Sequence, residues 1–177
     1  MLDILKTNIL ALMLAFALFF IPTLSAAAET REGVIYLEGA EEIIEETLLE
    51  SGDGFSFWYA NEQLEAYEGE ADGYAGAVVV NPWSDDYMIL SSISENEAKE
   101  LMEIYGVSFP EGSYEAPAQI ELYCKFEDWH YSFCVLIAEN GRYVRAAGQY
   151  SQEAAEGTAK YFQLALDSVA FTSAGRE

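Results

Sequence analysis

The sequence has very few basic residues. Eight Lys and Arg stand against 31 Asp and Glu, which gives a net charge of −23. A surface of this sign repels phosphate backbones and anionic lipid headgroups, so the composition argues against nucleic acid as a partner. Two interpretations of the acidic surface stay open. It is a solubilising coat on an exported protein, which we favour, or it attracts cations, a basic protein or a cationic wall component.

Signatures of catalysis are equally scarce. The chain has one histidine, His130, and it has no Gly-x-Ser-x-Gly elbow, no phosphate-cradling glycine loop and no His/Cys zinc set. A histidine beside a carboxylate such as Asp128 can act as a general base, but the sequence offers no nucleophile to go with it. We therefore expect a non-enzymatic protein, with a hydrolase that uses His130 as an alternative.

Long apolar runs are missing except at the N-terminus. A short head with Lys6 precedes the apolar stretch Ile9–Phe20, and Pro22 and the small residues of Ser25–Ala28 follow it. This layout is typical of a Sec signal peptide and predicts cleavage before Glu29. The stretch is shorter than the roughly 20 residues that span a bilayer. We therefore expect a secreted or cell-surface protein without stable membrane insertion after cleavage.

Residues 29–177 suit a single compact domain. They carry the whole net charge of −23, because Asp3 and Lys6 balance each other in the leader. Apolar residues make up 51% of the chain and aromatic residues 14%, so this part is not a disordered acidic tail.

Export would permit a disulfide between the two cysteines, Cys124 and Cys134. The Asn140–Gly141 pair predicts a hairpin, and a four-residue loop before it, Glu127–His130, sets Cys124 opposite Phe133. The two sulfurs would then lie on opposite faces of the sheet. We therefore consider the disulfide unlikely, although a shift of one residue in register would bring the cysteines together.

Alternating apolar residues and turn signals predict about six to seven strands. In the hairpin around Asn140–Gly141, Val135 faces Ala146 on one side of the sheet, and Leu136 and Arg145 lie on the other. Gly69–Gly76 is predicted to be a loop. The predicted strands cover residues 41–50, 55–59, 77–80 and 87–93 and a three-stranded meander over 119–150. Residues 33–37 are a further strand or an extended lead-in, and the acidic residues of 41–50 would also suit an exposed helix.

Two helices complete the predicted fold. Ser94 and Glu97 form a capping box, and Gly106 supplies the stop of this first helix. An apolar stripe that begins at Ala155 predicts a second helix from about Ser151 to Ser168. We expect an α+β fold, with a largely antiparallel twisted sheet and the helices packed on it.

This order of elements resembles a known family. An aromatic strand after a glycine, Gly54–Tyr59, precedes two middle strands, a meander and a helix that ends in Leu166–Phe171. The order looks like the PsbP-like superfamily of α/β/α sandwiches, which includes photosystem extrinsic subunits, a nuclear-transport regulator and exported bacterial proteins. Gly54–Tyr59 and Tyr150–Gly157 together are similar to a group of exported bacterial proteins. Ala60–Asn61 departs from the pattern, because relatives usually have a Pro-containing turn there.

The resemblance also implies a role. Members of this superfamily are largely non-catalytic assembly or binding modules. We therefore expect an exported binding or scaffolding domain whose partner is a protein or a cell-envelope component, and the family offers no catalytic residue to transfer to this chain.

Two predicted turns place a tryptophan beside acidic residues. Trp83 is followed by Asp85 and Asp86, and Trp129 lies between Asp128 and His130. An aromatic ring with carboxylates beside it suits a sugar face or a cationic group. These six residues are the candidate binding residues. The alternative, which we favour for each ring, is that it folds back over the sheet edge and covers the core.

Calcium is the only cofactor that the sequence suggests. Hard cations prefer clustered oxygen ligands, and the weak candidates are Asp85 and Asp86 on one loop and Glu70 and Asp72 on another. Neither loop has the spaced ligands of a dedicated calcium loop. A weakly calcium-binding exported protein is therefore an alternative function.

Overall fold

The structure of the chain is a computed structural model that describes residues 28–37, 39–71, 73–110, 117–154 and 157–172. The apolar run and Pro22 of the predicted signal peptide lie outside the described residues, as do the calcium candidate Asp72 and the helix residue Ala155. Within the described part, neither helix combines the length and the apolar character that a membrane span requires.

Ten strands and two short helices make up the described part. The strands are β1 (Thr30–Leu37), β2 (Ala40–Ser51), β3 (Phe55–Ala60), β4 (Glu65–Ala71), β5 (Tyr74–Val80), β6 (Tyr87–Ile93), β7 (Ala118–Glu127), β8 (His130–Glu139), β9 (Arg142–Ser151) and β10 (Ala170–Phe171). The helices are α1 (Glu95–Tyr105) and α2 (Thr158–Asp167).

The predicted α+β class, with helices packed on one sheet of six to seven strands, is wrong. The fold is mainly β, with 58% strand and 16% helix. Its strands form two antiparallel sheets: sheet A has the order β1-β2-β3-β10, and sheet B has the order β4-β5-β6-β9-β8-β7.

One reason for the error is β4, which occupies part of the segment predicted to be a loop. No residue of β4 is fully buried, and β4 is the edge strand of sheet B, paired with β5 alone. Its side chains are exposed or half-buried, so its sequence has no clear apolar alternation. The pattern that predicts strands therefore misses it.

The other reason is the second helix, which begins at Thr158 and not near Ser151. β9 continues through Ser151, which pairs with His130 of β8. Of the described residues of the predicted helix, only Ser151 lies in the sheet, and residues 152–154 form a turn in which the Ala154 amide donates to the Ser151 carbonyl oxygen at 3.1 Å. Phe162 and Leu166 of the predicted stripe are buried as that stripe requires.

One core joins the two sheets and α2. Sheet A contributes Phe55 and Phe57, and α2 contributes Phe162 and Leu166. The buried residues that sheet B adds to this core are Ala77, Val79, Met88, Leu90, Phe133, Ile137, Val144 and Ala146. These residues alternate along their strands, as expected for a sheet that covers a core with one face.

The opposite face of sheet B is partly covered by α1. Ala98 of α1 packs with Leu122, Cys134 and Leu136 of the sheet. The predicted caps of this helix are confirmed. The Ser94 hydroxyl accepts a hydrogen bond from the Glu97 amide at 3.2 Å, and Gly106 ends the helix at a φ of 66°.

The predicted register of the meander is also confirmed. Val135 pairs with Ala146 across the Asn140–Gly141 turn. On the other side of β8, Cys124 pairs with Phe133. A register shift between Glu121 and Tyr123 interrupts the β7–β8 ladder.

Candidate functional site

The two turns that carry tryptophan lie at the same end of sheet B. Trp83 is in the β5–β6 loop and Trp129 is in the β7–β8 turn, and the last residue of β9 and the residue after it are hydrogen-bonded to these two turns. The Ser151 amide donates a 2.8 Å hydrogen bond to Oδ1 of Asp86, and the Gln152 amide donates one of 2.9 Å to the Trp129 carbonyl oxygen. We call this surface, residues 81–86, 126–131 and 151–154, the tryptophan end.

Both tryptophan rings lie in solvent. Trp83 is 74% exposed and Trp129 is 75% exposed. The interpretation that each ring folds back over the sheet edge and covers the core is therefore wrong. Nearby Phe126 is 49% exposed, which adds apolar surface to the same end.

Trp83 is held by a short hydrogen-bonded loop. Its amide donates to Oδ1 of Asn81 at 3.0 Å, and Nδ2 of Asn81 donates to the Thr158 hydroxyl of α2 at 2.9 Å. The loop closes where the Asn81 amide donates to the Asp86 carbonyl oxygen at 3.0 Å. The backbone that presents the ring is therefore tied to the first residue of α2.

Trp129 has a positive φ, which is an unfavourable backbone conformation for a residue with a bulky side chain. Asp128 and Trp129 are the two central residues of the β7–β8 turn, with φ values of 49° and 70°. Tight hairpins prefer glycine or asparagine at such positions, and a left-handed residue with a Cβ costs roughly 1–2 kcal/mol. The β8–β9 turn meets the same demand with Asn140 and Gly141, at φ values of 51° and 76°. A bulky aromatic residue at this place is a feature that points to function.

The remaining candidate residues divide into exposed and buried ones. Asp85 and Asp128 are exposed, but Asp86 is only 1% exposed, and its carboxylate binds the Ser151 amide. Asp86 thus anchors the loop and does not present its carboxylate to a partner. Nδ1 of His130 lies 3.0 Å from the Asp128 backbone oxygen and not from the carboxylate. Because a carbonyl oxygen only accepts, this bond places a proton on Nδ1.

The calcium candidates do not converge in the described part of the chain. No group of three His, Cys, Asp or Glu among those residues is arranged to hold a metal ion. Asp86 points inward, Glu70 is exposed on β4, and Asp72 lies outside the described residues. Calcium binding stays a prediction, as does a hydrolase that uses His130.

Both cysteines are free thiols. Cys124 is exposed on β7, and Cys134 is buried on β8 against the face that α1 covers. Burial raises the pKa of the Cys134 thiol to about 11, although Arg145 acts in the opposite direction.

A stack of aromatic rings connects the tryptophan end with the core. Phe126 lies 4.8 Å from Tyr131, Tyr131 lies 5.2 Å from Tyr150, and Tyr150 lies 5.9 Å from Phe133, measured between ring centroids. Burial, followed by the neighbouring Cys124, raises the pKa of Tyr150 to about 12. The alternation in the sequence places these aromatic residues on strands. It does not predict that rings from β7, β8 and β9 contact one another.

A cavity of about 550 Å³ lies at the opposite end of β8 and β9. Its lining includes Asp53, Glu95 and Arg142, none of which the sequence singles out. The Arg142 guanidinium is already engaged, by the Thr172 carbonyl oxygen at 2.9 Å and by the Glu139 carboxylate at 2.7 Å. Among the described residues, the one cation that lines this cavity is therefore already engaged, and Asp53 and Glu95 make its rim acidic.

No protein-family model and no curated protein matches the chain. The PsbP-like resemblance stays a prediction, and the function must be argued from the residues themselves.

Proposed function

We propose that the chain is an exported, non-enzymatic binding domain whose contact surface is the tryptophan end. The observation that carries this proposal is the exposure of Trp83 and Trp129, 74% and 75%, on two turns that hydrogen bonds join at one end of sheet B. The signal-like layout of the first 28 residues supports export.

Exposed tryptophan pairs are unusual on a surface without a partner. Tryptophan is enriched among the residues that dominate binding energy, because its ring buries a large area and loses little conformational entropy. Phe126, which is 49% exposed near the end of β7, adds further apolar surface to the tryptophan end. A partner that covers these three rings would remove their apolar area from water.

The charge around the rings suggests the chemistry of the partner. Asp85, Asp128 and Glu153 are exposed at the tryptophan end, and its sequence segments contain no Lys or Arg. Aromatic faces attract cations, and the electrostatic field of the neighbouring carboxylates attracts cations too. A basic protein segment or a cationic component of the cell envelope fits this surface.

Loss of both rings should weaken binding while the fold is unchanged. We expect the double variant Trp83→Ala, Trp129→Ala to bind isolated cell envelopes of the source organism at least about tenfold more weakly than the wild type. The melting temperature should not fall, since both side chains are in solvent. Co-sedimentation and thermal unfolding measure the two quantities.

Tyr36→Ala is the matched control, because Tyr36 is a 63% exposed aromatic residue on β1 of sheet A and is not one of the residues that define the tryptophan end. It should bind as the wild type does. Equal retention of the double variant and the wild type would refute the proposed surface.

Trp129→Gly separates binding from stability. Glycine adopts a positive φ without the Cβ clash, so we expect the free energy of unfolding to rise by about 1 kcal/mol. Binding to envelopes should fall, because the ring is gone. Urea unfolding and co-sedimentation test the pair of effects. A variant that is both more stable and fully competent in binding would remove Trp129 from the contact surface.

A further inference from the structure

Arg145 of β9 is a buried cation without an acidic partner in the part of the chain that the structure describes. It is 7% exposed, and Nε of its guanidinium group has no hydrogen-bond partner there. The three ion pairs among these residues use Arg31, Lys99 and Arg142. The chain has 31 acidic residues and only eight basic ones. Acidic side chains are therefore abundant, and yet none pairs with Arg145 among the described residues.

An isolated buried charge is unfavourable, and arginine cannot relieve the cost by losing its proton. Part of the compensation comes from an aromatic ring. The guanidinium carbon of Arg145 lies 3.7 Å from the centre of the Tyr74 ring. Such a contact contributes about 0.5–2 kcal/mol. It satisfies none of the N–H donors in the plane of the group, which remain suited to an anion.

Tyrosines surround the same position. Tyr123 lies close enough to Arg145, Cys134 and Tyr74 to interact electrostatically with all three, and burial is the main cause that raises its pKa. On the neighbouring strands Ser91 and Leu136 pair with Arg145. The Ser91 hydroxyl is engaged with the Ala75 carbonyl oxygen at 2.7 Å. No carboxylate is among these neighbours.

A groove of about 200 Å³ lies on the same face of sheet B as Arg145, although Arg145 itself is not among the residues that line it. Tyr74 and Tyr123, which flank Arg145, both line it. Ala147 also lines it and follows Arg145 by two residues on β9, so both side chains lie on the same face of the sheet. The other lining residues are Tyr87, Ile89, Ser132, Gly148 and Gln149.

Gly76 allows this arrangement. Its φ is 155°, and a Cβ there would lie 2.1 Å from the Leu90 carbonyl oxygen and 2.8 Å from the Ser91 hydroxyl. Only glycine therefore lets β5 approach β6 so closely at this point. Tyr74, two residues earlier, lies on the same face of β5 as Gly76, and its ring covers the Arg145 guanidinium group.

We propose that Arg145 and the tyrosine-lined groove beside it form a binding site for a small organic carboxylate with an aromatic or apolar body. The carboxylate would accept two hydrogen bonds from the guanidinium plane, a geometry that arginine provides and lysine does not. The body would lie in the groove against Tyr74, Tyr123 and Ile89, with Ser132 and Gln149 as further polar contacts. This site is separate from the tryptophan end and does not depend on its function.

Calorimetric titration with benzoate tests the site, with acetate and inorganic phosphate as comparison probes. We expect benzoate to bind the wild type, acetate to bind it more weakly for lack of a ring, and phosphate to bind it more weakly than benzoate does. Arg145→Met should weaken benzoate binding by at least about tenfold, and Arg145→Lys should restore only part of it. The matched control is Arg142→Met, which removes an arginine from the cavity at the other end and should bind benzoate normally.

A second measurement keeps the test independent of the folding of Arg145→Met. In NMR spectra of the wild type, benzoate should shift the ring signals of Tyr74 and Tyr123 and leave those of Tyr36 unchanged. Absence of these shifts would overturn the proposal. So would equal affinity of wild type and a folded Arg145→Met, or phosphate binding that exceeds benzoate binding.

Discussion

Phe57→Ala lowers the free energy of unfolding by about 3–5 kcal/mol. Phe57 is 0% exposed and belongs to the core that both sheets share. Its ring centroid lies 6.4 Å from that of Phe55 and 6.4 Å from that of Tyr59. Removal of the ring deletes these contacts and leaves a cavity that the two sheets and α2 cannot close without moving toward one another. A loss of this size is a large fraction of the stability of a typical domain.

Urea unfolding measures this loss, and Ile43→Ala is the control. Ile43 is 73% exposed on β2, so its truncation should change the free energy of unfolding by no more than about 0.5 kcal/mol. Native-state hydrogen exchange should accelerate in both sheets of Phe57→Ala, for example in β3 and in β8. Faster exchange confined to sheet A would contradict a core shared by the two sheets.

Alkylation of the native, reduced protein at pH 8 modifies Cys124 at least about a hundredfold faster than Cys134. The thiolate is the reacting species, and burial raises the pKa of Cys134 from 9.0 to about 11, which by itself lowers its thiolate fraction at pH 8 about a hundredfold. Cys134 is also only 4% exposed, so the reagent cannot reach it easily. Cys124 lies exposed on β7, the edge strand of sheet B.

Peptide mass spectrometry after a short treatment with iodoacetamide gives the two rates. In urea both thiols should react at similar rates, because unfolding removes the burial. Comparable alkylation rates of the two thiols in the native protein would contradict the burial of Cys134 beneath α1. A lack of reaction at both positions before reduction would reveal a disulfide, which the paired positions of Cys124 and Phe133 oppose.

Much of sheet B follows from local sequence. The Asn140–Gly141 turn determines the register of β8 and β9, because a two-residue hairpin leaves one pairing for every residue beyond it. Ser94 and Gly106 likewise locate α1, since each satisfies backbone groups that would otherwise lack partners at a helix end. In both cases the physical cause lies within a few residues of its effect.

The errors in the predicted fold have a different origin. β4 pairs with β5 through backbone hydrogen bonds, although none of its own side chains is fully buried. The segment after residue 151 has a helical pattern, but residues 152–154 form a turn, in which the Ala154 amide donates to the Ser151 carbonyl oxygen, and the helix begins only at Thr158. The division into two sheets depends on which strands meet, and no local pattern records this.

The same distinction between local causes and long-range contacts applies to the candidate sites. The sequence identifies Trp83 and Trp129 as tryptophans in turns, but the antiparallel order β5-β6-β9-β8-β7 brings them to one end of sheet B. The sequence also places Arg145 on the face opposite the core. It does not show that Tyr74 covers the guanidinium group, since Tyr74 lies on a strand start that is predicted to be a loop.

The sequence by itself determined the acidic character of the chain, the turns and caps, the register of the meander and the alternation of its faces. These features depend on residue charge, on backbone preferences and on neighbours a few positions away. The tertiary structure decided the split into two sheets, the exposure of the tryptophan rings, the inward turn of Asp86 and the burial of Arg145. These four features depend on contacts between residues far apart in the chain. The free energies of such contacts exceed the local conformational preferences of the residues.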